Sequence, residues 1–351
     1  MPIPALRMIL LLALSLPGAA ADPKLLSLVP GDAEAVIGVD FRAVMRSGVT
    51  QELMRTATNT NTAEFDEMVA LTGIDPRTDI HEMVAAGFAT PTGAKAKGEA
   101  SGIVFATGNF NAERIAAAIA TKGGKKSLYK GRTLWAPPKS ATAGTAGVVT
   151  FLEGNVVLAG DDLRVKRYLD GTSPMASTLR SRLDDVSSRY DLWMVSAVSP
   201  RAIADSMSNK QANLEQAAGA LQGDMFKKIE SMQGGLKFGP QTVMGLEMLA
   251  SSPEDATALV NVMRFFQSMM AGGGETGAGG KGEMPAAMKS ALSAVRLSAQ
   301  GSTVTVRLSL AEAAVIDFLK KATIKPATQA EAEPAARPRP TPKQEEIIII
   351  Q

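Results

Sequence analysis

The sequence predicts an α+β fold built as two similar halves, each a mostly antiparallel sheet with helices covering one face. Three observations carry this. Short β-rich runs are joined by tight glycine-containing turns, the signature of antiparallel hairpins. Capped stretches with helix-spaced apolar positions follow several of those runs. The order of these elements then recurs along the chain. Composition suits such a core: of 351 residues, 45% are hydrophobic and 21% charged.

The first half opens with "AEAVIGVDF" (33–41), a β-rich run behind the turn "PGD". Residues 42–57 and 62–73 carry helix-spaced apolar side chains, among them Val44, Met45, Phe65, Met68 and Val69. "GIDPRTD" (73–79) is a turn, and "VAAGFAT" (84–90) a short strand before the polar loop "PTGAKAKGEA". "SGIVFATGNF" (101–110) reads as a strand and "NAERIAAAIATK" (111–122) as a helix capped by Asn111. "KKSLYKGRTLWAPP" (125–138) reads as one further strand. "GVVTFLEGNVVLAGD" (147–161) is a hairpin about Gly154-Asn155. "DDLRVKRYLDG" (161–171) is a helix opened by two acids and closed by Gly171.

The second half repeats the style. "DLWMVSAVS" (191–199) is a strand, and "PRAIADSM" (200–207) opens a helix at Pro200. A long helix is expected over 211–232. "GGLKFGPQTVMGLEMLAS" (234–251) is a hairpin turning at Gly239-Pro240. "SPEDATALVNVMRFFQSMM" (252–270) is a capped helix with Leu259, Val262, Met263 and Phe266 on one stripe. A Gly-rich loop precedes the hairpin "AVRLSAQGSTVTVRLSL" (294–310) and the helix "AEAAVIDFLKKAT" (311–323).

"VDFRAV" (39–44) matches "VSPRAI" (198–203) at an offset of 159 residues. "FATGNFNAE" (105–113) matches "LASSPEDAT" (249–257) at 144, and the hairpins about Gly154 and Gly301 match at 147. The expected organisation is a leader over 1–21, α+β units over 22–187 and 188–322, and a tail over 323–351.

The leader is "MPIPALRMILLLALSLPGAAADP". Arg7 supplies its charge, Met8 to Leu16 its apolar run, and Ala19-Ala20-Ala21 its small residues, so a secretory signal peptide cut after Ala21 is expected. The run is too short to span a bilayer, which takes about 20 residues. Removing 21 of 351 residues leaves a mature chain of 330, expected to be exported, soluble, and periplasmic or extracellular.

Composition excludes several chemistries. The chain has no cysteine, so disulfides, thiolate metal sites and cysteine nucleophiles are out. It has one histidine, His81, in "DIHEMVAA", and Ala85 stands where a zinc-protease motif needs a second imidazole. "GAGGKG" (277–282) fits a dinucleotide fingerprint in letters only, because it lies in Gly-rich sequence and follows no strand. "SLYK" (127–130) puts Ser127 and Lys130 on a strand, not one helical turn apart. The pairs Asp161-Asp162 and Asp184-Asp185 suit helix ends and lack calcium-loop spacing. A formal charge of +2, from 37 basic and 35 acidic residues, gives nucleic acid no bulk attraction. No cofactor and no metal is expected, and the absence of a catalytic set points away from an enzyme.

Two features can carry binding. Lys122, Lys125, Lys126, Lys130 and Arg132 form the densest basic stretch, either an anionic-surface patch or an edge strand blunted by lysine. The 18 methionines fill a core, line a greasy groove or, in the soft-ligand reading, hold copper. The tail "ATIKPATQAEAEPAARPRPTPKQEE" is Pro-, Ala- and charge-rich and expected to be extended and disordered, reaching on the order of 70 Å. It ends in Ile347, Ile348, Ile349 and Ile350 before Gln351, a short β-prone element able to dock on a sheet edge or groove.

"VPGDAEAVIGVD" (29–40) and "GIDPRTD" (73–79) give the chain its one resemblance. With its leader it resembles bacterial exported proteins known as a domain of unknown function, over residues 29–110 best. The resemblance implies an exported, envelope-associated protein and no activity. The leading expectation is a non-catalytic envelope protein that engages a macromolecular partner, in part through its tail. A periplasmic carrier of a lipid or other apolar ligand is the alternative, with an enzyme of unrecognised type behind both. Peripheral contact with a membrane surface is open; a transmembrane span is not expected.

Overall fold

The computed structural model describes residues 21–56, 69–70, 74–75, 77–88, 102–137, 147–153, 155–197, 228–271 and 286–323. The leader up to residue 20, the body of the helix at 62–73, the segment 198–227 with its two expected helices, "GAGGKG" and the tail with Ile347–Ile350 lie outside them.

The chain order begins α1 (Pro23–Ser27), β1 (Ala35–Asp40), α2 (Phe41–Arg46), α3 (Gly48–Thr56), β2 (Ile80–Gly87) and β3 (Gly102–Gly108). It continues α4 (Ala112–Thr121), β4 (Lys125–Tyr129), β5 (Arg132–Ala136), β6 (Gly147–Leu152), β7 (Val156–Asp161), α5 (Asp162–Asp170) and α6 (Ser177–Arg189). The second half holds β8 (Leu192–Ser196), β9 (Ile229–Lys237), β10 (Gln241–Ala250), α7 (Pro253–Ala271), α8 (Ala286–Ala294), β11 (Arg296–Gln300), β12 (Thr303–Ala311) and α9 (Glu312–Thr323). The fold is α+β, as the sequence predicts.

Short polar side chains start the helices, because the first N–H groups need acceptors. Asp40 accepts from the Ala43 N–H at 3.0 Å, Asn111 from Arg114 at 2.8 Å and Asp161 from Arg164 at 3.2 Å. Ser252 accepts from the Asp255 N–H at 3.0 Å one residue before Pro253, a side-chain cap with proline in its favoured first position.

Three local expectations are corrected. "KKSLYKGRTLWA" is two strands, not one, turned at Lys130-Gly131, where φ is 46° and 76°. A two-residue hairpin turn needs positive φ at both positions, and here a lysine accepts the first. Residues 229–232 belong to β9, not to the end of a helix, because Ser231 and Met232 pair with β10. The expected helix over 42–57 breaks at Ser47, whose hydroxyl accepts from the Thr50 N–H at 3.1 Å and restarts it as α3.

The described strands form one antiparallel sheet in the order β11-β12-β10-β9-β8-β1-β2-β3-β7-β6-β5-β4. The halves therefore share a sheet, joined by the β1–β8 ladder in which Val36 faces Val195 and Gly38 faces Trp193. The Trp193 ring lies over Gly38, where a Cβ would collide with it; the Tyr190 ring covers Gly235 and Gly245 in the same way. The expected boundary at 187 falls inside α6.

The cores lie on opposite faces of this sheet. Val36, Val84, Phe105, Leu158 and Val195 point to one face and are covered by Leu25 and Leu26 of α1, Val165 of α5, and Leu183 and Val186 of α6. Met248 and Val304 point to the other, where Ala256, Leu259 and Val260 of α7 cover them. Cross-strand register fixes this assignment, since partners in a ladder share a face.

Candidate functional site

Among the described residues, the change of buried face leaves a zone at the seam that neither core covers. In β1, β2 and β8 the residues alternating with the first core face the side of α7. One cross-strand row there runs Ala85, Ile37, Met194, Gly234, Leu246 and Val306. The next runs Met83, Val39, Leu192, Leu236, Met244 and Leu308. Every side chain in both rows is apolar. Ile37 is 46% exposed and Met244 36% exposed, and Met83, Val39, Met194 and Leu236 are half-buried, outside both cores. Helix α9 contacts β10 and β12, and α3 packs on α9, with the Gly48 N–H donating to Glu312 at 2.7 Å.

The opposite face at the seam is polar. Arg189 of α6 donates to Glu247 at 2.9 Å and pairs with Asp185. Gln233 donates to Glu247 at 2.9 Å and accepts from Arg182 at 2.7 Å, and Arg182 also donates to the Met232 carbonyl at 2.9 Å. Burial pushes Glu247 up, but the hydrogen bonds from Arg189 and Gln233 outweigh it and hold its carboxyl below the usual range. Burial pushes the Arg182 guanidinium down, the Glu247 charge opposing it. Arg189 meets two carboxylates, though its buried Nε has no acceptor among the described residues, and Arg182 donates to Gln233 and two carbonyls; the network clamps α6 to β9 and β10.

Clefts are small. One lined by Asp32, Phe88, Arg164, Arg167 and Ser173 has a volume of about 80 Å³, and one beside Glu82 and Trp193 about 10 Å³. Small-molecule sites run about 300–1,000 Å³. Leu246 and Val306 of these rows pack against the second core, and the apolar side chains about Ile37 and Met244, not these clefts, are the exposed apolar surface at the seam.

The basic stretch is divided. Lys122, Lys125 and Lys126 are exposed, with Lys125 and Lys126 on opposite faces of the edge strand β4. Lys126 lies over the Trp135 ring at 5.3 Å, Lys130 pairs with Asp170 at 2.7 Å, and Arg132 donates to the Phe151 carbonyl at 3.2 Å. These five do not converge on one point. His81 sits half-buried in β2 beside a bulge, and Ser127 and Lys130 sit in a strand and its turn. Asp161 caps α5, Asp162 pairs with Lys166, and Asp184 and Asp185 pair with Arg180 and Arg189. Among the described residues no group of three or more His, Cys, Asp or Glu could hold a metal ion. Nor is any helix there long and apolar enough to cross a membrane.

Reading the sequence for catalytic motifs passes over Ile37, Val39, Met83 and Met194. The signal was present as continuous apolar runs, "AVIGV" and "LWMV", which place apolar side chains on both faces of a strand.

No family model matches the chain, and no curated protein matches it. Among solved structures it aligns with the one described as "Structure of crystal form I of TP0453", at 8% identity and a TM-score of 0.41, over 87% of this chain and 99% of that one. A likeness at that score carries no argument about this protein.

Proposed function

We propose that this is a non-catalytic, exported binding protein of the cell envelope, and that it holds an apolar ligand on the open sheet face about Ile37 and Met244. The observation that carries the reading is the two unbroken apolar rows across the seam strands, with Ile37 46% and Met244 36% exposed. Exposed apolar side chains are common singly; a contiguous set on a sheet marks a binding surface. The leader, and the resemblance to bacterial exported proteins of unknown function, support export.

Native mass spectrometry of protein purified without detergent tests the site. Wild type is expected to carry a co-purifying lipid or other apolar molecule, and the Ile37→Glu and Met244→Glu variants to lose it while keeping the wild-type circular dichroism spectrum. An empty wild-type protein that also fails to take up a fluorescent fatty acid sinks the reading. The tail is tested separately by pull-down with and without residues 347–351. An unchanged partner set removes the tail from the account.

The two halves also support an internal duplication. The path β1-β2-β3, helix, β6-β7, helix, with a β4-β5 hairpin inserted before β6, is followed again by β8-β9-β10, helices, β11-β12, helix, with β7 and β12 returning beside β3 and β10. The offset of 159 residues between "VDFRAV" and "VSPRAI" makes Val36 equivalent to Val195, and these two face each other in the central ladder.

A further inference from the structure

Glu82 is an odd residue to find beneath the first core. It is 6% exposed on β2, on the same face as Val84. Its carboxylate accepts from the backbone N–H of Asp22 at 2.7 Å and meets Arg42 at 3.4 Å. Burial holds its pKa above the usual range; the Asp22 N–H and Arg42 act against that, and the charges of Asp40 and Asp22 add to it. Two carboxylates, Glu82 and Asp40, thus share one guanidinium, whose side chain is 48% exposed, and Asp22 adds a third negative charge near Glu82. Among the described residues, negative charge there exceeds the positive charge of Arg42, and the nitrogen that donates to Glu82 at 2.7 Å belongs to the residue that follows the expected leader.

We infer that Ala21–Asp22 is the processing junction and that the freed α-ammonium of Asp22 pairs with Glu82, so that removal of the leader completes the anchor of the first core. Hydrolysis adds one water across the Ala21–Asp22 bond. Ala21 leaves as a carboxylate with the leader, and the Asp22 nitrogen becomes an ammonium at neutral pH. The nitrogen is already positioned. The Asp22 side chain accepts from the Lys24 N–H at 2.9 Å, and Leu25 and Leu26 of α1 are 0% and 2% exposed in the first core. Asp22 is thereby held from its C-terminal side, and the cut does not release it. A charge-assisted contact then replaces an amide hydrogen bond at the same atoms, which strengthens it. Mature protein is accordingly more stable than the same chain with residues left ahead of Asp22. This inference rests on the export reading, and the experiment separates the two.

The full chain is expressed with its own leader in a bacterial host, and the exported fraction is weighed intact. A mass beginning at Asp22 is expected. A cut at another position overturns this inference and leaves export standing; uncut protein confined to the cytoplasm overturns both. Protein beginning at Asp22 is then compared with protein retaining Ala20-Ala21, each with Glu82 or with Glu82→Gln. Retaining the two alanines is expected to lower Tm by about 2–4 °C with Glu82 and by nothing measurable with Glu82→Gln. Acylation of the α-amine at neutral pH reads the contact without relying on stability: it is slow with Glu82 and rises several-fold with Glu82→Gln. Equal Tm for the two N-termini, together with an α-amine as reactive as a free peptide's, overturns the pairing.

Discussion

In the first half Val36, Val84, Phe105 and Leu158 point toward α1, α5 and α6; in the second half Met248 and Val304 point the opposite way, toward α7. The strand path is alike and the sheet is continuous, so the buried face must change over at the seam. Among the described residues neither core extends across the seam, and the consequences for the two faces differ. On the α6 side the exposed second-half residues are mostly polar, Arg296, Ser298 and Arg307 among them, with Leu249 an apolar exception at 41% exposure, and Glu247 and Gln233 are clamped by arginines. That face is built to meet water. On the other side the seam shows Ile37, Val39, Met83, Met194 and Met244, which water solvates poorly. The comparison locates the candidate site: the open face that is not polar is the one with something to bind.

The largest contrast is in the cores. Phe105 is fully buried and meets the Tyr168 ring edge-on at 5.0 Å, in the larger of the two clusters. Phe105→Ala is expected to cost about 3–5 kcal/mol, and Met248→Ala in the smaller second cluster about 2–4 kcal/mol. Urea titration followed at Trp193, which belongs to the first cluster, reads both. If the shared sheet makes unfolding one cooperative event, Met248→Ala shifts the tryptophan transition as a whole. A transition that leaves Trp193 unmoved shows that the halves unfold separately.

The seam itself comes next. A Cβ at Gly38 collides with the Trp193 ring, and Gly38 sits in a ladder that gives it no room to move aside. Gly38→Ala is expected to cost about 1–3 kcal/mol by overpacking. Gly131, which has open space around it, is the control for backbone freedom alone, and its positive φ still penalises alanine.

Elements with local signals were legible in the sequence. The hairpins about Gly154 and Gly301, the helices capped by Asn111 and Asp161, and the fold class all follow from turn chemistry and capping, which act over a few residues. The change of buried face was not legible. It depends on pairing β1 with β8 across about 155 residues, and a strand apolar on both sides, such as "AVIGV", does not say which side is covered. The Lys130-Gly131 turn was missed because lysine rarely takes positive φ. The helix Ser177–Arg189 was not assigned at all. Its sequence, "STLRSRLDDVSSR", is mostly polar because one side carries the arginine–carboxylate clamp instead of meeting water. The basic stretch was visible as letters, but strand alternation and the Asp170 contact divide it.

The clamp gives a pH-dependent test. Arg189 and Gln233 hold Glu247 below its ordinary pKa of 4.5 in the folded state, so the folded protein releases this proton more readily than the unfolded chain. The resulting stabilisation is complete above the unfolded pKa and is lost as pH falls through the lower folded one. At pH 7, Glu247→Gln is expected to lower stability by about 1 kcal/mol. The gap between variant and wild type closes as the pH is taken down through and below 4.5. Denaturant midpoints across that range check it; a gap independent of pH assigns the loss to packing alone.

The smallest expected effect on stability falls on the residue that matters most for binding. Val36 and Ile37 are neighbours in β1 and point to opposite faces, at 1% and 46% exposure. Threonine keeps the β-branch and strand preference of both, so the change tests the face and not the strand. Val36→Thr buries a hydroxyl beside Val195 and Ala86 and is expected to cost about 1–3 kcal/mol. Ile37→Thr places its hydroxyl within reach of water and is expected to cost about 0.5 kcal/mol. Under the binding reading the ranking reverses for the apolar ligand: Ile37→Thr weakens its retention, and Val36→Thr, once folded, does not. Equal destabilisation by the two substitutions means that the face about Ile37 is covered in the folded protein and is not a site.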